Sequence, residues 1–211
     1  MKLLKYSIII PTLNHLEDLL KPCIESIIKY TDLSECEVIV VSNGCTDGTD
    51  EYVHSLGKHF ILLSNSDAMG YSKANNWGIS QAKGKYVVLL NNDIILLEQP
   101  KHSWLNMMVA PFEDDKVAIS GPFKSECTAA MASFMIFFCV MIKRERFIDV
   151  GMLDEIFGAG AGEDADWCMR AKMLGYKQIQ VPSEEQLSFS DEDKRRAIGG
   201  FPIYHRGSIT M

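Results

Sequence analysis

Short apolar runs alternate along the chain with segments whose apolar residues recur every three or four positions. This is the pattern of an α/β domain with a mainly parallel sheet. Tyr6–Ile10 is a buried strand stopped by Pro11. Leu16, Leu19, Leu20, Cys23, Ile24, Ile27 and Ile28 share one face of a helix running to Tyr30. Glu37–Val41 is the second strand, closed by the Asn43-Gly44 turn. Thr49 is placed to cap a helix reaching Leu56, with Gly57 as its stop. Phe60–Leu63 is a third strand, Ser72–Ala82 a helix ending at Gly84, and Tyr86–Leu90 a fourth strand that delivers Asn91-Asn92-Asp93. The second half is less regular. It predicts strands at Lys116–Ser120, Met131–Ile142 and Gln178–Val181, a helical turn over Arg144–Val150, and a helix over Glu163–Leu174. From Ser183 to Ile198 the chain is polar and charged, which fits either a lid or a plain surface loop.

The 211 residues, 47% hydrophobic, suffice for one full-sized domain, and no linker or repeat divides them. The net charge of −7 argues against a nucleic-acid groove, which needs a basic stripe. The longest apolar stretch, Met131–Ile142, falls short of the about 20 residues of a membrane span, so no integral membrane segment is expected. The six cysteines show no C-x-x-C spacing and read as reduced thiols in a cytoplasmic compartment, with a peripheral membrane contact left open.

Four segments carry candidate chemistry. Asn91-Asn92-Asp93 follows a fully apolar strand, and in open α/β sheets ligands sit beyond the carboxyl ends of strands. Asp93 is a hard oxygen ligand suited to Mg²⁺ or Mn²⁺ bridging phosphates; alone, the triplet reads as readily as a polar turn. Glu163, Asp164 and Asp166 open a helix, where the dipole favours negative charge. They are ordinary capping residues or a general base whose pKa its neighbours raise. The preceding Gly158–Gly162 run of small residues lets a bulky substrate approach them. His205-Arg206 is suited to a diphosphate but weak by itself. The Asn65–Gly78 stretch has turn and capping residues but neither G-x-G-x-x-G nor G-x-x-x-x-G-K-[ST], which disfavours a dehydrogenase and a phosphate-loop enzyme.

In order, these segments resemble the inverting glycosyltransferase family 2, over most of the chain. Y-S-I-I-I-P-T-L-N from Tyr6, V-I-V-V-S-N-G-C-T-D-G-T from Val38, the Asn65–Ile79 helix, Asn91-Asn92-Asp93, G-M-L-D-E from Gly151, Glu163-Asp164 and His205 each match a family segment. The resemblance implies a GT-A fold, with a Rossmann-like, mainly parallel central sheet flanked by helices. It also implies a nucleotide-binding half of about residues 1–93 and an acceptor-binding half of about 94–211. The donor would be a nucleotide-sugar, UDP-linked, and the acceptor a hydroxyl on a glycan or glycoconjugate. Asp164 would be the base, with Glu163 beside it. Asp93 and His205 would hold Mn²⁺ or Mg²⁺, and Arg206 would assist. Pro11, Thr12, Asn14, Ser42, Asn65, Gly70, Lys73, Asn76, Asn91, Asn92 and Asp93 would bind the nucleotide-sugar, while Trp167 and Asp166 would face the acceptor. Two positions depart from the pattern: Ser42 and Asn91 stand where the family often has aspartate. The N-N-D form looks most like rhamnosyl- and related hexosyltransferases. The Q-x-x-R-W signature of polymer synthases is absent, which favours single-sugar transfer. Relatives commonly continue past this length, so the chain can be the N-terminal domain of a longer transferase. A nucleotidyltransferase and a non-catalytic nucleotide-sugar binding module are the competing readings.

Overall fold

The structure, a computed structural model, describes residues 4–127, 132–158, 160–181 and 200–207. The first half runs β1 (Tyr6–Thr12), a π-helical turn (Leu16–Leu20) continuing into α1 (Lys21–Tyr30), β2 (Cys36–Asn43), α2 (Thr49–Ser55), β3 (Phe60–Asn65), α3 (Tyr71–Gln81) and β4 (Tyr86–Leu90). The second half runs β5 (Ile94–Leu96), α4 (Ser103–Val109), β6 (Val117–Gly121), β7 (Lys124–Cys127), β8 (Ala132–Met135), β9 (Cys139–Lys143), α5 (Arg146–Asp149), α6 (Glu163–Met173), β10 (Lys177–Gln180) and β11 (Ile203–His205).

Seven strands form one sheet in the order β10-β6-β9-β4-β1-β2-β3. β1, β2, β3 and β4 are mutually parallel, and β6 and β10 are parallel. Only β9 is reversed, pairing antiparallel with β4 and β6. The strands read as continuous apolar runs because both faces of the sheet are covered. Ile8, Ile10, Val38, Val40 and Val88 pack into one buried cluster with Ile24 and Ile27 of α1 and Trp104 and Leu105 of α4. Ile9, Ile39, Val41, Val87 and Leu89 pack into a second with Ala74 and Ile79 of α3 and Trp167 and Cys168 of α6. Since β1, β2, β3 and β4 are parallel, all four point their carboxyl ends, and the loops that follow, to one rim. Among the described residues no helix is long and apolar enough to cross a membrane.

The sequence places its expected elements mostly within one or two residues of these bounds, leaves β5, α4, β7 and β11 unassigned, and differs elsewhere as follows. Met131–Ile142, expected as one strand, is two: β8 pairs with β7 in a separate ribbon, the chain turns through Phe137 and Phe138, and β9 enters the main sheet. An apolar run carries no signal for this turn, because Phe137 and Phe138 at the turn are as apolar and buried as most of β9. Thr49 is the first residue of α2 and not its cap; Asp47 accepts from the Thr49 backbone N–H at 3.3 Å and hydroxyl at 2.7 Å. The pairing of β5 with β11 was not foreseen. The expected polar loop from Ser183 to Ile198 lies outside the described residues.

One turn locks the opposite end of the sheet. Ser7 donates to Glu37 Oε1 at 2.6 Å, which also accepts from the Lys83 N–H at 2.6 Å, and Ser7 Oγ accepts from the Gly84 N–H at 2.8 Å. A Cβ on Gly84 would sit 2.6 Å from the Ser7 nitrogen and the Tyr6 carbonyl carbon, both backbone atoms. Gly84→Ala must therefore push α3's exit loop off β1. It should lower stability by about 1–3 kcal/mol, read as a lower urea midpoint; an unchanged midpoint would contradict this packing.

Candidate active site

The first wall of the site is made by the loops after β1 and β2. Asn14 and His15 both adopt positive φ, 55° and 61°, a conformation non-glycine residues avoid. The β2 loop holds them there. The Asn14 N–H donates to Cys45 Sγ at 3.1 Å, Asn14 Oδ1 accepts from the Thr46 N–H at 2.8 Å, and the Leu16 N–H donates to Asp47 Oδ2 at 2.8 Å. The Cys45 thiol in turn donates to the Thr12 carbonyl at 3.4 Å. Against the upward push of partial burial, the hydrogen bonds from Thr49 and Leu16 hold the Asp47 carboxyl below its ordinary pKa. Pro11 and Thr12 pair in register with Val41 and Ser42. The Ser42 hydroxyl is buried and has no partner. Asn65 closes its own loop on the Asp67 carbonyl at 2.6 Å, Gly70 precedes α3 with φ 83°, and Lys73 is exposed.

The second wall follows β4. The Asn91 N–H donates to the Phe138 carbonyl at 2.8 Å, and Asn91 Oδ1 is buried without a partner. Asn92 Nδ2 donates to Thr12 Oγ1 at 2.9 Å, bracing the ends of β4 and β1 together. Asp93 is 2% exposed; its Oδ1 is unpartnered and its Oδ2 lies 3.2 Å from His205 Nε2. The β5–β11 ribbon makes that contact, by setting His205 opposite Ile94, and the Arg206 N–H donates to the Asp93 carbonyl at 3.1 Å. The His205 ring stacks on Phe138, centroids 4.6 Å apart. Arg206, expected near a diphosphate, instead directs Nη1 to the Asp18 carbonyl.

Could this pair hold a divalent ion? Among the described residues no three His, Cys, Asp or Glu side chains converge on a cage. A hard ion such as Mg²⁺ needs none: it commonly takes one or two carboxylates and fills its remaining positions with phosphate oxygens and water. Asp93 Oδ1 is a buried carboxylate oxygen without a donor, the kind of group that leaves free energy unrecovered unless something binds it. The residues present fit such an ion.

The third wall is the start of α6. Gly160 (φ 131°), Ala161 (78°) and Gly162 (122°) lead into it through backbone conformations that favour glycine; Ala159 lies outside the described residues. Burial raises the pKa of Asp164, against the pull of the bond from the Ala165 N–H (2.7 Å). Burial likewise raises Glu163, with the neighbouring Asp164 adding to it, and Glu163 Oε2 has no partner. Tyr71 ties the walls together. Its phenol pKa is pushed up by burial, then by Glu163, Asp164 and Asp93. One hydroxyl thus lies in the field of the β4-end carboxylate and both α6 acids.

Three expected site residues are engaged by other groups of the protein. Trp167 is 0% exposed: its indole N–H donates to the Gly151 carbonyl at 2.8 Å and its ring packs on Phe137 and Phe147, so it cannot face an acceptor. Asp166 is paired with Arg170 at 2.7 Å, one turn along α6. Asn76 is fully engaged by the Gly151–Glu155 turn: Nδ2 donates to the Leu153 carbonyl (2.9 Å) and Glu155 Oε1 (3.1 Å), and Oδ1 accepts from the Leu153 N–H (3.0 Å). Both Nδ2 hydrogens are taken, and only the second lone pair of Oδ1 is left for a ligand. Tyr71, Cys45 and Asp47 escaped the sequence reading. Asp47 carried a signal, an acid two residues before a helix-opening threonine; the others act through contacts distant in the chain.

Residues 7–151 match the sequence profile described as Glycosyl transferase family 2. The O-antigen biosynthesis protein RfbC of Myxococcus xanthus is 25% identical over 236 residues, covering 92% of this chain and 18% of RfbC. The mannosyltransferase PcManGT from Pyrobaculum calidifontis, solved with GDP-Man and Mn²⁺, superposes with a TM-score of 0.70 at 22% identity, covering 84% of this chain and 55% of that one. GalNAc-T7, solved with UDP, GalNAc and Mn²⁺, gives 0.72 at 17% identity over 84% of this chain and 42% of that one. At these identities the two structures share the fold. The chain spans 24% or less of the length of the first curated relatives it matches.

Because Asn76 serves the backbone, Asn76→Ala should lower stability by about 1–3 kcal/mol in thermal or urea unfolding and leave nucleotide affinity unchanged. A loss of nucleotide affinity with unchanged stability would return Asn76 to the ligand site.

Proposed function

The chain belongs to glycosyl transferase family 2 and has the GT-A fold, and from that premise we propose that it transfers a single sugar, with inversion, from a UDP-type nucleotide-sugar to a hydroxyl of a glycan or glycoconjugate. The observation that carries this reading is Asp93, buried at the end of β4 with Oδ1 unpartnered and Oδ2 3.2 Å from His205 Nε2, a donor-holding group at the carboxyl rim of the sheet. Transfer also needs a base, and Asp164 at the start of α6 is the carboxylate assigned to it.

The steps follow from the residues. The nucleoside lies against the strained β1 loop and the Ser42 hydroxyl, with Thr12 and Asn14 fixed by Asn92 and the β2 loop. Asn91 Oδ1, buried and free of partners, is an acceptor for the ribose. Asp164 accepts the proton of the acceptor hydroxyl as that oxygen bonds to the anomeric carbon from the face opposite the diphosphate. The bond to the diphosphate oxygen breaks with its electron pair, so one displacement inverts the centre. Asp93 and His205 would hold Mn²⁺ or Mg²⁺; when bound, the ion supplies positive charge against the departing diphosphate. The Mn²⁺ present with PcManGT and with GalNAc-T7 supports a divalent ion without choosing between the two metals. Those two structures carry guanosine and uridine nucleotides respectively, so the uridine assignment rests on the sequence resemblance. The raised pKa of Asp164 makes its carboxylate a stronger base than that of a solvated aspartate.

Asp164→Asn should keep donor affinity and reduce transfer by about 10²–10⁴-fold; transfer at the wild-type rate would remove Asp164 from the base role. Because ionised Asp164 is the active form, the wild-type rate should fall with decreasing pH through a pKa above the ordinary aspartate value of about 3.9.

Asp93→Ala should weaken Mn²⁺-dependent binding of UDP by about tenfold or more, or about 1.4 kcal/mol, in calorimetric titration. An unchanged isotherm would exclude Asp93 from the metal site.

A further inference from the structure

Asp93 and His205 reach the rim on different elements, and one residue of a third touches both. β4 delivers Asp93, and the short β5–β11 ribbon delivers His205 opposite Ile94. The Arg206 N–H on the Asp93 carbonyl, at 3.1 Å, closes the end of that ribbon. These bonds fix the His205 main chain, while its side chain still turns about two bonds. Two contacts act on the ring itself. Asp93 Oδ2 lies 3.2 Å from Nε2, and the Phe138 ring stacks on the imidazole with centroids 4.6 Å apart and planes 23° from parallel. The His205 side chain is partly open to solvent, whereas Phe138 is buried in the same apolar cluster as Ile94 and Ile203. A mobile ring therefore lies on a fixed face. The Phe138 carbonyl meanwhile accepts from the Asn91 N–H at 2.8 Å, two residues before Asp93. With its backbone Phe138 holds the strand end that carries Asp93, and with its ring it sets the plane of His205. The resulting spacing suits a shared ion. Two ligands in adjacent positions on an octahedral ion, each at about 2.1 Å, stand about 3 Å apart, close to the 3.2 Å between Nε2 and Oδ2.

We propose that Phe138 is a positioning residue for the divalent-ion site: its ring holds the His205 imidazole with Nε2 beside the Asp93 carboxylate, so that both ligands stand ready before the ion arrives. This rests on the reading of Asp93 and His205 as the ligands. Phe138 offers no atom to the ion and acts through His205. Groups that orient a ligating histidine typically account for tenfold or more in metal affinity. A phenylalanine that merely filled the core would, on replacement, lower stability and leave ion binding alone. Phe138→Leu separates the two roles, because it keeps an apolar side chain in the cluster and removes the flat face.

The test uses the whole chain as wild type, Phe138→Leu, His205→Ala and the double variant, after thermal melts establish that each is folded. Mn²⁺ binding is titrated by electron paramagnetic resonance, with UDP and without it. Phe138→Leu should weaken Mn²⁺ binding by about 10- to 100-fold. In the His205→Ala background the same substitution should cost nothing further, since the residue through which it acts is gone. In the metal-free wild type the His205 ring protons should be shifted upfield by the Phe138 ring current, a measurement that needs no variant. Unchanged Mn²⁺ affinity in Phe138→Leu, an equal loss in both backgrounds, or unshifted His205 ring protons would overturn the proposal while His205 stays a ligand. Mn²⁺ affinity unmoved by His205→Ala would instead remove His205 from the ion, and the proposal with it.

Discussion

The hydrogen bond from the Asn91 N–H to the Phe138 carbonyl, 2.8 Å long, is the contact on which the site depends. It extends the β4–β9 ladder past Leu90 and Cys139, their last paired residues. Among parallel strands, each neighbour brings its carboxyl end to the rim. Only a reversed strand brings its amino end there, together with the turn that precedes it. β9 is that strand, and its leading turn carries Phe137 and Phe138 to the point where β4 delivers Asn91-Asn92-Asp93. From there Phe138 supports the His205 ring and the Phe137 carbonyl accepts from the Tyr71 hydroxyl. One reversed strand in an otherwise parallel sheet thus joins elements that lie far apart in sequence.

Around this contact the chain keeps features that stability alone would remove. Ser42 Oγ, Asn91 Oδ1, Asp93 Oδ1 and Glu163 Oε2 are buried without partners. Each such group costs about 1–3 kcal/mol of desolvation left unrecovered. Asn14 and His15 hold positive φ, and Gly160 to Gly162 hold three more. Strain and unpaired polarity of this sort persist where the surrounding packing over-determines them, and they gather at sites that bind ligands. Here the packing comes from two apolar layers closed on both faces of the sheet. The rim is preorganised at the expense of a core that can carry it.

The alternating elements of the first half were legible because each apolar run is bounded by glycine, proline or asparagine. The strand-end triplet and the acid pair were legible because polar residues stand out after apolar ones and at helix starts. What was not legible depended on contacts with no local signature. The Met131–Ile142 run hides a turn because Phe137 and Phe138 at the turn are as apolar and buried as the strand that follows. Trp167 looked available for a substrate because an aromatic beside acids is ambiguous until its indole N–H is seen on Gly151. Asn76 sits in a glycine- and asparagine-bearing segment, and only the fold reveals that its amide clamps Leu153. Tyr71 follows a glycine at a helix start and carries no pattern that announces its reach to Phe137.

The account comes down to whether Asp93 and His205 hold an ion beside the acids of α6. Anomalous scattering at the manganese edge, from a crystal grown with UDP and Mn²⁺, locates such an ion directly. The account predicts a single strong peak within coordination distance of an Asp93 carboxylate oxygen and His205 Nε2, bridged to the diphosphate. A bound diphosphate with no manganese at Asp93, or manganese held elsewhere on the chain, would contradict it.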